Sequence, residues 1–168
     1  MPTLLFPQPV SSELRASLDA AVPNLSPRAQ SVIDGMLLNQ GSIGCAQAVA
    51  TQLGFRDRFA FARWLSGQGL PPLHVLAGWI AVLLWLDRSE QDDAALCAMA
   101  LSEGRDPGAC YRLVQRITGK SWGTVRVLGL AWGLSEFAAC CCSANRRWIR
   151  RPAPKRTFTA SEAVTLER

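Results

Sequence analysis

Apolar positions recur at helical rather than strand spacing along most of this chain. After a proline-punctuated start over residues 1–11, Ser12 to Ala21 reads as a short helix, with Ser12 near its cap and Pro23 stopping it. Ser26-Pro27 combines an N-cap hydroxyl with proline at the first helical position. Val32, Ile33, Met36 and Leu37 follow as an apolar stripe, and Asn39 to Ser42 ends that helix. Cys45 to Leu53 predicts the next helix, with Cys45, Ala46, Val49 and Leu53 inward, and Gly54 supplies a turn that strains a residue with a Cβ. Asp57 caps a further helix whose buried pair is Phe61 and Leu65; that phase turns Phe59, Ala60 and Arg63 outward. Gly67 and Gly69 end it before Pro71-Pro72. A longer helix is expected from about Pro72 to Asp87, with Leu73, Leu76, Ile80, Leu83 and Leu84 inside and Trp79 and Trp85 adding bulk. It would span roughly 25 Å at about 1.5 Å per residue.

From Asp93 the pattern restarts. Leu96, Met99 and Ala100 are expected inside, Gly104 at a turn, and Asp106-Pro107 at a helix start. Cys110, Val114 and Ile117 make the inner stripe of that helix, leaving Gly108, Tyr111, Arg112, Gln115 and Arg116 nearer solvent until Gly119 stops it. Trp122 to Cys142 is apolar and helical, interrupted by Gly129 and Gly133, and is expected to close the core over this second region. No stretch alternates β-branched and polar residues for long, so the fold class is all-α.

Two stretches of the pattern are copies. Ala50, Gly54 and Gly69 recur as Ala100, Gly104 and Gly119, with Phe61 answered by Tyr111, a repeat of about fifty residues. A buried alanine, a turn glycine, a capped second helix and a closing glycine are the order of a helix-turn-helix. The chain then divides into an N-terminal segment with a short helix (1–26), a body (27–145) and a tail (146–168). Within the body the two helix-turn-helix units occupy about 42–72 and 93–126, joined by the connecting helix over about 72–87.

Composition narrows what such a body does. Hydrophobic residues are 49% and charged residues 18% of the 168, which suits a globular core. The apolar run Leu76 to Leu86 is too short to span a bilayer, and Met1 to Val10 lacks the features of a signal peptide, so a cytoplasmic setting without membrane is the expectation. The net charge of +5 is unevenly placed: residues 1–145 carry 11 basic and 11 acidic side chains, whereas 146–168 carry 7 and 2. A tail with Arg146, Arg147, Arg150, Arg151, Lys155 and Arg156 around Pro152 and Pro154 suits any polyanion. Local segregation is more specific. Arg56, Arg58 and Arg63 surround the first capped helix and Arg105, Arg112, Arg116, Lys120 and Arg126 the second, while Asp87, Glu90, Asp92 and Asp93 lie between. That puts positive potential where phosphates would be held.

Catalytic chemistry finds little support. His74 is the sole histidine and has no acid beside it in sequence, and the glycines are spaced as turns rather than as a phosphate cradle. Cys45, Cys97 and Cys110 read as small core residues. Cys140-Cys141-Cys142 lacks the paired spacing of a zinc site. No catalytic residue, metal or cofactor is therefore assigned.

The residues now in hand resemble the DNA-binding domain of the AraC/XylS family of bacterial transcription regulators over about residues 27–128. The resemblance rests on Ala50, Leu53-Gly54-Phe55, Asp57, Phe61, Leu65 and Gly69-Leu70-Pro71-Pro72, then on Ala100, Gly104, Asp106-Pro107, Tyr111-Arg112 and Ile117-Thr118-Gly119. It implies two helix-turn-helix units on one connecting helix and a regulator that occupies a promoter, with double-stranded DNA as partner and RNA polymerase as a further one. The second helix of each unit would enter the major groove, where Arg63 and Arg112 reach base edges and Ala60 or Phe59 meets a thymine methyl. Arg56, Arg58, Arg105, Arg116 and Lys120 would hold phosphates, with Tyr111 beside Arg112 on the reading face. Departures are the brief segment before residue 27, which indicates no small-molecule effector domain, and the apolar Phe59 and Ala60 where polar readers are common. The near-neutral body also fits another class, a helix-turn-helix-derived protein-interaction module without specific DNA binding.

Overall fold

A computed structural model describes residues 12–149, with side chains through residue 143. Among these residues the chain is all helical, with eight helices and no strand: α1 (Ser12–Ala21), α2 (Pro27–Leu38), α3 (Ala46–Gln52), α4 (Arg58–Gly67), α5 (Leu73–Asp92), α6 (Leu96–Ser102), α7 (Pro107–Thr118) and α8 (Trp122–Ile149). Residues 1–11 and most of the basic tail lie outside the described residues. Because α8 runs to Ile149, the first residues assigned to the tail continue a helix.

Local signals set the starts. The Ser26 hydroxyl accepts from the Ala29 N–H at 3.3 Å, and Pro27 fills the first turn of α2. The central α5 extends to Asp92, beyond the expected Asp87, and stops where Asp93 adopts φ 52°. It is buried on nearly all sides from Leu76 to Asp87, so it serves two cores at once.

The first core gathers α1 to α4, the N-terminal part of α5, and Phe137 and Cys141 of α8. The second gathers Ala81, Val82, Trp85 and Leu86 of α5, together with α6, α7 and Trp122 and Val125 of α8. Ile117 and Leu130 touch both.

The path of α8 corrects the expectation that it closes only the second core. Gly129 sits at φ 78°, ψ 178°, a conformation open to glycine alone, and splits the helix into arms 122–128 and 130–149. The Glu90 carboxylate accepts from the Leu130 N–H at 2.6 Å and caps the second arm. That arm returns to the first core, where Phe137 meets Trp79 at 6.3 Å between ring centroids and α8 packs on α1 and α4. By length and composition Trp122–Ser143 is apolar enough to cross a membrane. In this fold Gly129 interrupts that window, and Trp122, Val125, Phe137 and Cys141 within it are buried.

Candidate nucleic-acid interface

The duplicated stretches fold alike up to their turns. Ala50 and Ala100 are fully buried. The Phe55 N–H donates to the Ala50 carbonyl at 2.8 Å, and the Arg105 N–H donates to that of Ala100 at 2.8 Å. Both turns require a left-handed residue, and Gly54 and Gly104 supply it at φ 73° and 68°. An aspartate then caps each following helix. Asp57 accepts from the N–H groups of Phe59 and Ala60 at 2.9 and 2.8 Å, and Asp106 accepts from that of Ala109 at 2.7 Å. The Ala60 N–H, aided by Phe59, Arg56 and Arg63, holds the Asp57 carboxyl below its ordinary range.

The second turn is one residue shorter, which changes the pairing of the copies. Asp57 comes three residues after Gly54, but Asp106 comes two after Gly104. Counting from the caps, Phe61 corresponds to the buried Cys110, whereas Tyr111 is 41% exposed. The correspondence of Phe61 with Tyr111 is thus corrected, while the inner stripe of α7 keeps Cys110 and Val114 inside.

On α4, Arg58, Phe59 and Arg63 are exposed and Ala60 is half-buried; Arg56 is exposed in the turn before it. Phe59, 60% exposed, lies 4.9 Å beneath the Arg58 guanidinium, so the apolar ring carries a cation over it. On α7, Arg112 and Arg116 are four residues apart and exposed, and Lys120 is exposed just beyond the helix. Arg112 reaches Asp106 at 3.5 Å, a loose surface pair. These two groups are carried by separate cores, α4 by the first and α7 by the second.

Arg105 departs from its expected role. It occupies the place that Phe55 holds in the first copy, and its side chain turns inward. Its guanidinium pairs with Glu103 at 3.5 Å, donates to the Gln40 carbonyl at 2.8 Å and lies 5.6 Å over the Trp85 ring. Three of the four acids between the copies are also engaged: Asp87 is buried, Glu90 caps α8 and Asp93 pairs with Arg126, while Asp92 is exposed.

Two residues escaped the sequence reading. Glu103 anchors Arg88, Arg105 and Trp85; its signal was an acid in the second copy where the first has Leu53. Arg28, on α2, lies 4.2 Å over the Phe55 ring beside the first turn, which adds a cation next to Arg56 and Arg58. Nothing local marked it, because the contact crosses between helices.

The cysteines divide by burial. Cys110 and Cys141 are buried, and burial raises both thiols, that of Cys141 to about 12. Cys45 and Cys97 are exposed rather than core residues. Cys45 is the N-cap of α3, where the Gln47 and Ala48 N–H groups and the charge of Arg58 lower its thiol pKa. Among the described residues no three histidine, cysteine or acidic side chains group as metal ligands would.

No family model, curated protein or solved structure matches this chain.

Proposed function

We propose that this protein is a sequence-specific transcription regulator of the AraC/XylS type that reads duplex DNA with α4 and α7. The observation that carries the reading is the repeated build: buried alanine, left-handed glycine, capping aspartate and an exposed cationic second helix, once on each side of α5. Helix α5, at 20 residues, is about 30 Å long, close to the roughly 34 Å between successive major-groove faces. Arg63 and Arg112 are the base readers in this scheme. Arg56, Arg58 and Lys120 hold phosphates; Arg116, which lines a cavity between α5, α7 and α8, is not among them, and Tyr111 is the sequence neighbour of Arg112 on α7.

Selection of the full chain on a random duplex library tests the proposal, with a variant in which Arg150, Arg151, Lys155 and Arg156 are glutamine run in parallel. A two-part motif enriched by both proteins, with affinity falling steeply with salt, supports the reading. Arg63→Ala and Arg112→Ala should each relax one half of that motif. Binding that vanishes with the tail charges, without any motif, assigns polyanion affinity to the tail alone. The exposed Phe59 favours a second reading, in which α4 docks a protein partner and the body binds no DNA.

A further inference from the structure

Between α5, α7 and the returning arm of α8 lies a cavity of about 380 Å³, at the lower end of the size range of small-molecule sites. Its lining is chemically uneven. Arg116 of α7 and Glu136 of α8 line it together with the apolar Val75 and Trp79 of α5 and Ile117 of α7. Arg116 and Glu136 are opposite in charge and line one cavity, yet they form no ion pair with each other, and no partner engages either among the described residues. Two unpaired, opposite charges lining one cavity together with apolar side chains suit a molecule that carries both charges and an apolar body.

We infer that this cavity binds a small zwitterion, an α-amino acid with an apolar side chain, its carboxylate on Arg116, its ammonium on Glu136 and its side chain against Trp79, Val75 and Ile117. An arginine fork matches a carboxylate in two hydrogen bonds, and the glutamate accepts from an ammonium. His74 and Cys140 also line the cavity, but they do not make it a nucleophilic site. The Trp79 indole holds the Cys140 sulfur, burial raises its thiol pKa, and no hydrogen bond links it to His74. The site forms only because α8 turns at Gly129 and brings Glu136 back across α5. It does not depend on DNA binding, and its occupancy is measured without DNA.

Thermal unfolding of the full chain with each of the free L-amino acids at 10 mM, followed by calorimetric titration of those that act, tests the inference. At least one apolar amino acid should raise Tm saturably by about 3 °C or more. Its carboxamide and its N-acetyl derivative should each bind at least tenfold more weakly. Arg116→Gln and Glu136→Gln, both exposed positions, should keep the unliganded Tm and lose at least tenfold in affinity. The diagnostic pattern is pairwise: Arg116→Gln should no longer distinguish acid from carboxamide, and Glu136→Gln should no longer distinguish free from acetylated amine. The inference is overturned if no amino acid shifts Tm, if the N-acetyl form binds as well as the parent, or if either variant keeps wild-type affinity.

Discussion

The Trp85 indole N–H points at both carboxylate oxygens of Glu103, at 3.3 and 3.2 Å, joining the middle of α5 to the turn between α6 and α7. Arg88 adds a bond at 3.0 Å to the same carboxylate, which is only 10% exposed, and Arg105 closes the set at 3.5 Å. One acid thus fixes the turn of the second copy to the shared helix.

Removing that acid leaves two guanidinium groups without their counter-charge, and the Arg88 Nε is already buried without a hydrogen-bond partner. Glu103→Ala should therefore destabilise the protein by about 3 kcal/mol. Glu103→Gln, which keeps an acceptor for Trp85 but no charge, should fall between it and wild type. Urea unfolding monitored by tryptophan fluorescence provides the measurement, and equal stability of Glu103→Ala and wild type would refute the anchoring role.

Gly129 is the joint on which the path of α8 depends. An alanine there would have to hold φ 78° and place its Cβ 2.8 Å from the Glu90 oxygen that caps the following arm. Gly129→Ala should cost about 1–3 kcal/mol. Glu90→Ala, which loses only the cap, should cost about 1 kcal/mol. The double variant should cost less than the two combined, because both act on one joint. Strict additivity would count against this coupling.

The starts of the helices were legible because they are written locally. Ser26-Pro27, Asp57 and Asp106-Pro107 each combine a cap with the residues it serves, and the buried pair Phe61 and Leu65 follows from helical phase alone. What escaped the sequence depends on distant partners. The fixed spacing of about fifty residues matched Tyr111 to Phe61, whereas helical phase alone already put Cys110 inside and Tyr111 outside, as the structure has them. The glycine at 129 was visible, yet the direction taken there depends on Glu90, forty residues earlier. Arg105 looked like a phosphate ligand, and only Glu103 and the Gln40 carbonyl reveal why it turns in. For the site, exposure of Arg63, Tyr111 and Arg112 followed from phase, whereas Arg28 became a neighbour of the first turn only through packing.

The cap at Asp57 gives a pH signature. Its folded carboxyl titrates below the ordinary 3.8 because the N–H groups of Ala60 and Phe59 favour the charged form. The unfolded chain therefore takes up this proton first as pH falls. Stability from the cap is complete above about pH 5 and is lost as pH drops through the lowered folded value. Asp57→Asn keeps an acceptor but removes the proton linkage, so wild type should be more stable at pH 7 and the gap should narrow as pH falls below the ordinary carboxyl value toward the lowered folded one. Melting temperatures at pH 7, 5, 4 and 3 measure this, and a constant gap would show that the carboxylate charge contributes nothing to the cap.

Arg105 and Lys120 separate the two jobs that a cation can do beside α7. Arg105 is held inward by Glu103, the Gln40 carbonyl and the Trp85 face, so Arg105→Ala should lower stability by about 2 kcal/mol. Under the proposed DNA-binding function, the salt dependence of binding should stay as in wild type, because the Arg105 guanidinium is engaged. Lys120 is exposed, with no ion pair to lose. Lys120→Ala should leave the unfolding curve unchanged and reduce the slope of log affinity against log salt by about 0.9, the value of one phosphate contact. Binding titrations on the selected duplex between 50 and 200 mM salt, paired with urea unfolding of each variant, read both effects. If Arg105→Ala flattened the slope while stability held, its side chain would have to leave Glu103 on meeting DNA, and the inward placement would describe only the free protein.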